Sequence, residues 1–201
     1  MENYKASIWD FGNDILYKLC KENPYHTSGD VIITKTLFIG RIYSAALERR
    51  RIEGTKIQNN DFYTKEVVKA FKNSNIDNNL KLLKEKSLTE SNLLAILKTH
   101  KDLMDIIKPI TQLDKRSFSS KYLHFHLPNL FFIYDSRANI SMKEKSQKKQ
   151  IDKYKDLLSH NCIDKEYAKF FCKCLELKEI YENETSETIT PRTLDNILLY
   201  S

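Results

Sequence analysis

Glycine and proline are both scarce in this chain of 201 residues, with four of each. A fold with many hairpins or tight turns needs more of both residue types, whereas a helical fold does not. No alternation of apolar and polar residues predicts a strand, and only residues 130–134 could be extended. We therefore expect an all-α fold of about eight to ten helices in a single domain over residues 1–201, built as one body or as two helical lobes around a cleft.

Motifs for metals, disulfides and membranes are also lacking. The four cysteines form no CxxC pair, so their spacing predicts neither a zinc site nor a disulfide framework. His124 and His126 form an HxH pair, but a helix would point them in opposed directions and no acidic cluster accompanies them. We expect no metal and no cofactor. With no apolar stretch of ~18 residues and no apolar leader, the chain is predicted to be cytoplasmic, with no membrane partner.

Positive charge is present, and it is concentrated in one part of the chain. Residues 115–155 contain ten lysines or arginines and three acids, a balance of +7, while the remainder of the chain has a balance of −1. Such a segment is typical of a nucleic-acid-binding surface. The alternative is a solvated, lysine-rich face with no partner.

The same region contains the most informative motif, SFSSKYLHFHLPNLFFIYDSRA at residues 117–138. The pattern predicts a short aromatic-rich helix over residues 119–127 that carries Lys121 and ends at Pro128. An apolar run then leads to Asp135, which is expected to cap the next helix. This arrangement would bring a lysine amine and a carboxylate close together.

An amine and a carboxylate held in this way suit the cleavage of a base–sugar bond. A fixed carboxylate can stabilise the positive charge that develops on the sugar. A lysine amine can attack the sugar carbon if burial or a nearby cation lowers its pKa. Aromatic side chains can hold a base that has left the stack. The alternatives are that Asp135 is only a helix cap, that Lys121 is only a surface lysine, and that the aromatic residues are core.

At these residues the chain resembles the helix-hairpin-helix superfamily of DNA glycosylases, in particular its 8-oxoguanine branch. The resemblance implies a helical glycosylase-like bundle in which Lys121 is the nucleophile and Asp135 the catalytic aspartate. Residues 113–120 match the hairpin; they have no glycine, so Lys115 and Arg116 would contact phosphate in place of backbone amides. The motif and LFIGRIYSAALERR also resemble a small bacterial glycosylase-like family that is associated with anti-phage signalling of the cyclic-oligonucleotide type, which implies defence proteins as partners.

Three hypotheses follow from the sequence. The first is a base-excision glycosylase, with or without lyase activity, whose Lys121 and Asp135 face a common hollow wide enough for an everted base. The second is a non-catalytic module that binds nucleic acid or a protein, and the third is a plain helical interaction protein. Under the first hypothesis, the predicted nucleic-acid-binding residues are Lys115, Arg116, Ser117, Ser119, Ser120, His124, Arg137, Lys143, Lys145, Lys148 and Lys149.

Several helix boundaries can be predicted from capping residues and proline. Asp30 is expected to cap a central, buried helix over residues 30–51, in which Gly40 would allow a close contact. Pro109 is expected to end a helix that begins after Thr89. Asp164 is predicted to cap an amphipathic helix, and Thr190 followed by a proline is predicted to open the last one.

Overall fold

The computed structural model describes residues 10–49, 58–145 and 153–200, and this part of the chain contains helices and no strands. The all-α prediction is therefore confirmed. The elements in chain order are α1 (Asp10–Glu22), α2 (Gly29–Ile42), α3 (Asn59–Asp61), a π-helical turn (Phe62–Val67), α4 (Val68–Lys72), α5 (Ile76–Leu83), α6 (Glu90–Thr111), α7 (Arg116–His126), α8 (Ser136–Lys145), α9 (Lys155–Ser159), α10 (Lys165–Thr185) and α11 (Pro191–Tyr200).

Helices α10 and α11 begin with the side-chain caps that the sequence predicts. The Asp164 carboxylate accepts a hydrogen bond from the Tyr167 amide at the start of α10. The Thr190 hydroxyl accepts one from the Thr193 amide in α11. The cap of α2 is Ser28 rather than Asp30, because the Ser28 hydroxyl accepts from the amide of Val31.

Two predicted helix ends are wrong. Helix α2 stops at Ile42 instead of continuing to residue 51, because Ser44 adopts a left-handed backbone conformation with φ of 53°. The chain then turns back, and the Ala45 amide donates to the Gly40 carbonyl at 2.7 Å. Pro109 lies inside α6 and does not end it. The helix continues for two further residues, and the Thr111 hydroxyl bonds to the Ile107 carbonyl in the last turn.

Helix α7 lies at the centre of the fold. Eight consecutive residues of α7, from position 118 to position 125, are buried, and the helix packs against α1, α2 and α6. The sequence predicted that the helix over residues 30–51 would be the central, buried one, but its counterpart α2 exposes Phe38 and Ile42. One hydrophobic cluster connects side chains from α1 through to α11. A central helix that is buried on all sides must bury its polar residues as well, and this determines the site.

A four-residue turn, residues 112–115, joins α6 to α7. The glycosylase resemblance placed its hairpin at residues 113–120, of which residues 116–120 already belong to α7. The two helices pack against each other. Gln112 follows α6 with φ of 57°, a left-handed conformation that glycine adopts more readily than other residues. The structure thus has a helix–turn–helix unit here, with glutamine in the strained position.

Glycine is required at one position near the same unit. A Cβ atom at Gly40 would lie 3.1 Å from the Ala46 Cα and 3.5 Å from the Phe118 ring. Gly40 therefore allows α2 to approach the turn that follows it and to contact α7, as the close contact predicted from the sequence requires.

Among the helices that the structure describes, none is long and apolar enough to cross a membrane.

Candidate functional site

The Lys121 side chain lies inside the protein, where three oxygen atoms surround its amine. The Nζ atom donates to the Tyr43 carbonyl and to the Ser117 hydroxyl, both at 3.1 Å. The Asp135 carboxylate lies 3.6 Å from Nζ. Only 4% of the Lys121 side chain is exposed, so the alternative of a surface lysine is wrong. The predicted meeting of Lys121 and Asp135 is observed.

The electrostatics of the pair favour a perturbed amine. Burial lowers the pKa of Lys121 below its ordinary value, and the negative charges of Asp135 and Asp195 oppose that change. A lysine with a lowered pKa releases its proton more readily and becomes a nucleophile at a lower pH. The environment of Lys121 therefore shifts the pKa of its amine in the direction that a nucleophile needs.

Asp135 has two roles at the start of α8. Its carboxylate accepts a hydrogen bond from the Ala138 amide at 2.9 Å, so it caps the helix as predicted. A quarter of its side chain is exposed. The carboxylate is thus the accessible end of the pair, and the Lys121 amine lies behind it. A carboxylate fixed by a helix terminus is well placed to stabilise positive charge outside the protein surface.

The common open hollow expected for Lys121 and Asp135 is not observed. The amine is covered by the Tyr43 carbonyl and by Ser117, and its side chain is 4% exposed. Two surface hollows of about 400 Å³ and about 390 Å³ occur in the described part of the chain. They are lined by other residues, including Leu93, Lys153 and Glu179 in the first and Ser74, Asn79 and Asp102 in the second. The Lys121 amine is therefore closed off from the protein surface.

Three residues predicted to bind nucleic acid are buried instead, and this is a correction. Ser119, Ser120 and His124 are each 0% exposed. The Ser120 hydroxyl accepts from the Tyr134 amide at 3.0 Å and so connects α7 to the segment that precedes α8. The His124 ring bonds to the Phe131 carbonyl and to the Tyr17 hydroxyl, both at 2.7 Å. These side chains hold α7 in place and cannot reach a ligand at the surface.

Lys115 and Arg116 also have partners within the protein. The Lys115 amine donates to the carbonyls of Ala46 and Arg49. The Arg116 guanidinium forms two bonds with the Asp164 carboxylate, at 2.5 and 2.8 Å. Burial opposes ionisation of Asp164, yet the bonds from Arg116 and from the α10 backbone lower the pKa of its carboxyl. Both cations stabilise the fold, and the structure does not support the phosphate contacts predicted for them.

Three of the remaining predicted cations lie on α8. Arg137 and Lys143 are exposed and Lys145 is half-buried. Because α8 begins directly after Asp135, these cations belong to the helix that carries the accessible end of the pair. Lys148 and Lys149 lie outside the described residues.

The HxH pair has other partners than a metal. His126 accepts its bond from the Lys35 amine at 3.1 Å through Nε2, and its Nδ1 donates to the Tyr122 carbonyl. His124 faces Tyr17, as described above, so the two rings point to different elements, as a helix requires. Within the described residues no group of three or more His, Cys, Asp or Glu side chains could hold a metal ion.

The sequence prediction missed the groups that complete this site. Asp195 in α11 is 3% exposed, and its carboxylate accepts from Arg192 at 2.7 Å. Its charge raises the pKa of Lys121, together with that of Asp135. One signal was available: Asp195 lies three residues before Leu198, a spacing that places the two on the same side of α11. No sequence signal predicts that the Tyr43 carbonyl accepts a hydrogen bond from Lys121, because residue type does not determine where a backbone carbonyl lies.

The chain is thus an all-helical protein with a buried lysine paired to a half-buried helix-capping aspartate. No protein-family model matches it, and no curated protein and no solved structure gives a match. The resemblance to glycosylases depends on the residues of the motif.

Proposed function

We propose that this protein is a glycosylase-like enzyme that cleaves the N-glycosidic bond of a nucleic-acid base, with Lys121 as nucleophile and Asp135 as the charge-stabilising carboxylate. The observation that carries the proposal is the 3.6 Å approach of the Lys121 amine to the Asp135 carboxylate, in a setting where burial lowers the pKa of the amine. The α6–α7 turn, which begins with the left-handed Gln112, supports a hairpin of the helix-hairpin-helix type.

The chemistry assigns a step to each group. The neutral Nζ lone pair attacks the anomeric carbon of the sugar, and the bond from that carbon to the base breaks. The bonding electrons leave with the base, which takes up the proton that Nζ releases as it becomes a secondary amine. Asp135 offsets the positive charge on the sugar while the bond breaks. Ring opening of the aminosugar gives an imine between Nζ and the anomeric carbon, which permits lyase chemistry.

The covered amine defines the conformational step that this mechanism needs. The Tyr43 carbonyl bonds to Nζ, and Tyr43 lies between the end of α2 and the left-handed Ser44. Displacement of this segment would break one of the two neutral hydrogen bonds to the amine and expose it. The same displacement would break the hydrogen bond from the Tyr43 hydroxyl to Asn13 Oδ1 and separate the Tyr43 ring from Phe125, so its cost exceeds the roughly 1 kcal/mol of a single exchanged hydrogen bond. Nucleic-acid binding would have to offset that cost.

The second candidate is a non-catalytic module that binds nucleic acid through α8. The observation that favours it is the 4% exposure of Lys121 together with its three oxygen partners, which is also how a structural buried ammonium is satisfied. The exposed Arg137 and Lys143 would then contact phosphate without any chemistry at Lys121. Partnership with anti-phage defence proteins stays a prediction of the motif resemblance.

Borohydride trapping separates the two candidates. Wild-type protein is incubated with DNA that contains abasic sites or 8-oxoguanine, and borohydride then reduces any imine to a stable crosslink. We expect a crosslink with wild type and none with Lys121→Arg, because arginine keeps the cation beside Asp135 but cannot form the imine. Asp135→Asn should keep the cap of α8 and reduce the rate of base release at least about 100-fold, which is the scale of one lost electrostatic contact.

Lys35 provides the matched control for this experiment. It is also a buried lysine, and its amine donates to the carbonyls of Asn23 and Tyr25 and to His126. Lys35→Arg should leave trapping at the wild-type level in protein that remains folded. Equal trapping by wild type and Lys121→Arg, or none by either, would contradict the enzymatic proposal. Binding that weakens steeply with salt and weakens further in Arg137→Gln would then support the module.

A further inference from the structure

The Ser117 hydroxyl has no role in the base–sugar cleavage described above, and its partner is the Lys121 amine. The two residues are four positions apart in α7, and a lysine side chain in a helix extends back towards the preceding turn. The Nζ atom of Lys121 lies 3.1 Å from the Ser117 Oγ. No other hydrogen-bond partner of this hydroxyl occurs in the described part of the chain.

The three oxygen atoms around Nζ determine where the lone pair of a neutral Lys121 points. An ammonium has three N–H donors, so the loss of one proton leaves two donors and one lone pair. The Tyr43 carbonyl at 3.1 Å and the Asp135 carboxylate at 3.6 Å can only accept a proton. They therefore orient the two N–H groups, and the lone pair faces Ser117, the one of the three neighbours that has a proton to donate.

The exposure of the two residues fits a nucleophile and its base. Ser117 is partly exposed, whereas the Lys121 side chain is 4% exposed. A nucleophile must meet the substrate, while a general base needs contact only with the nucleophile. Burial also lowers the pKa of the Lys121 amine, which favours the neutral form that a base needs. An amine that is covered by Tyr43 can act as a base without any displacement of the chain.

The start of α7 also provides donors for a developing negative charge. Ser117 is the second residue of α7, and the N-terminal end of a helix stabilises anions. The side chain of the N-cap residue, Lys115, forms no hydrogen bond with the amides of the first turn. These amides have no acceptor within the helix and can donate to an oxyanion. One helical turn thus combines a hydroxyl, a base and oxyanion donors.

We propose that Ser117 and Lys121 form a serine–lysine dyad in which Ser117 is the nucleophile of an acyl-transfer reaction on a carboxylic ester. The neutral Nζ takes the Oγ proton while Oγ attacks the carbonyl carbon, and the carbonyl electron pair moves to its oxygen. Collapse of this intermediate expels the alcohol, which receives the proton from Nζ, and leaves the acyl group on Ser117. Water then attacks the acyl group by the same proton transfers and releases the acid and free Ser117.

Asp135 assists this reaction from its position at the start of α8. Its carboxylate lies 3.6 Å from Nζ and stabilises the ammonium that forms each time Lys121 takes a proton. Asp135 is a positioning residue here, because it acts through Lys121. The activity goes beyond the base–sugar cleavage proposed above and shares with it the neutral amine of Lys121.

A fluorophosphonate probe tests the dyad. The Ser117 Oγ displaces fluoride from phosphorus, its proton passes to Lys121, and a stable ester remains that peptide mass mapping locates. We expect the label on Ser117 in wild type, and a labelling rate at least about 100-fold lower in Lys121→Arg, because the general base is lost. The matched control is Ser136→Ala, which removes an exposed serine at the first position of α8 and should leave the rate unchanged.

A comparison within the wild-type protein keeps the inference testable if Lys121→Arg folds poorly. Ser117 should react at least about 100-fold faster than Ser136 in the same sample. Equal rates at the two serines, no label on Ser117, or equal rates in wild type and folded Lys121→Arg would overturn the dyad.

Ser117→Ala separates the dyad from the proposed function. This variant should lose the fluorophosphonate label and still form the borohydride crosslink, because the Lys121 amine is retained. A label on Ser117 without a crosslink in wild type would overturn only the base–sugar cleavage. A crosslink without a label would overturn only the dyad.

Discussion

Mild acid should unfold this protein, because it buries histidines in their neutral form. His26, His100 and His124 are each at most 4% exposed. Burial lowers the pKa of His26 and of His124 to about 4 and that of His100 to about 3. Burial also lowers the pKa of His126 well below its ordinary value. The unfolded chain therefore binds more protons than the folded chain once the pH falls below about 6.5.

The sign and size of the effect follow from this difference. A group with a lowered folded-state pKa contributes its full stability above the unfolded pKa, and that stability is lost as the pH falls from about 6.5 towards about 4. For a pKa of about 6.5 in the unfolded chain and about 4 in the folded protein, the loss at pH 5 is about 2 kcal/mol per histidine. Three such histidines lose about 6 kcal/mol, which is comparable to the total stability of a domain.

The assay is urea unfolding followed by far-UV circular dichroism at pH 7.5, 6 and 5. The Asp195 carboxyl, whose pKa burial raises to about 7, binds a proton in the folded protein over this range and offsets about 2.5 kcal/mol of the histidine loss. We expect the free energy of unfolding to fall by about 3–4 kcal/mol, with most of the loss below pH 6. In His100→Gln the loss should be smaller by about 2 kcal/mol. The matched control is His160→Gln, which changes an exposed histidine and should preserve the wild-type pH dependence. A loss below about 2 kcal/mol in wild type would refute the reasoning.

Two further predictions concern stability at neutral pH. Asp164→Ala removes both the cap of α10 and the two bonds from Arg116, so the free energy of unfolding should fall by about 2–3 kcal/mol. The matched control is Asp156→Ala, which changes an exposed residue and should alter the free energy of unfolding by less than about 0.5 kcal/mol. Equal urea midpoints for the two variants would contradict a structural role for Arg116. Gly40→Ala should lower the free energy of unfolding by about 1–3 kcal/mol, although alanine has the better helix propensity, because its Cβ would lie 3.1 Å from the Ala46 backbone. A variant that is more stable than wild type in the same urea assay would refute this close packing.

Local signals account for the parts of the fold that the sequence predicted correctly. Asp164 and Asp135 cap helices in the structure as they were expected to, because a cap bond joins residues only three positions apart. The prediction at Pro109 was wrong because a missing amide is tolerated near a helix end when hydroxyls and turns satisfy the remaining carbonyls. Ser28 replaced Asp30 as the cap because both are residue types that favour this position and they lie only two positions apart.

The sequence alone predicted that the chain is helical and that Lys121 and Asp135 come close together, because only thirteen residues, including a proline that follows the helix, lie between them. Only the tertiary structure decided that the amine is buried behind Tyr43, that Ser119 and His124 are interior, and that Asp195 joins the pair from the far end of the chain. These outcomes depend on which helix becomes central. The packing of all the helices together determines which helix is central, and the local sequence of α7 does not predict it.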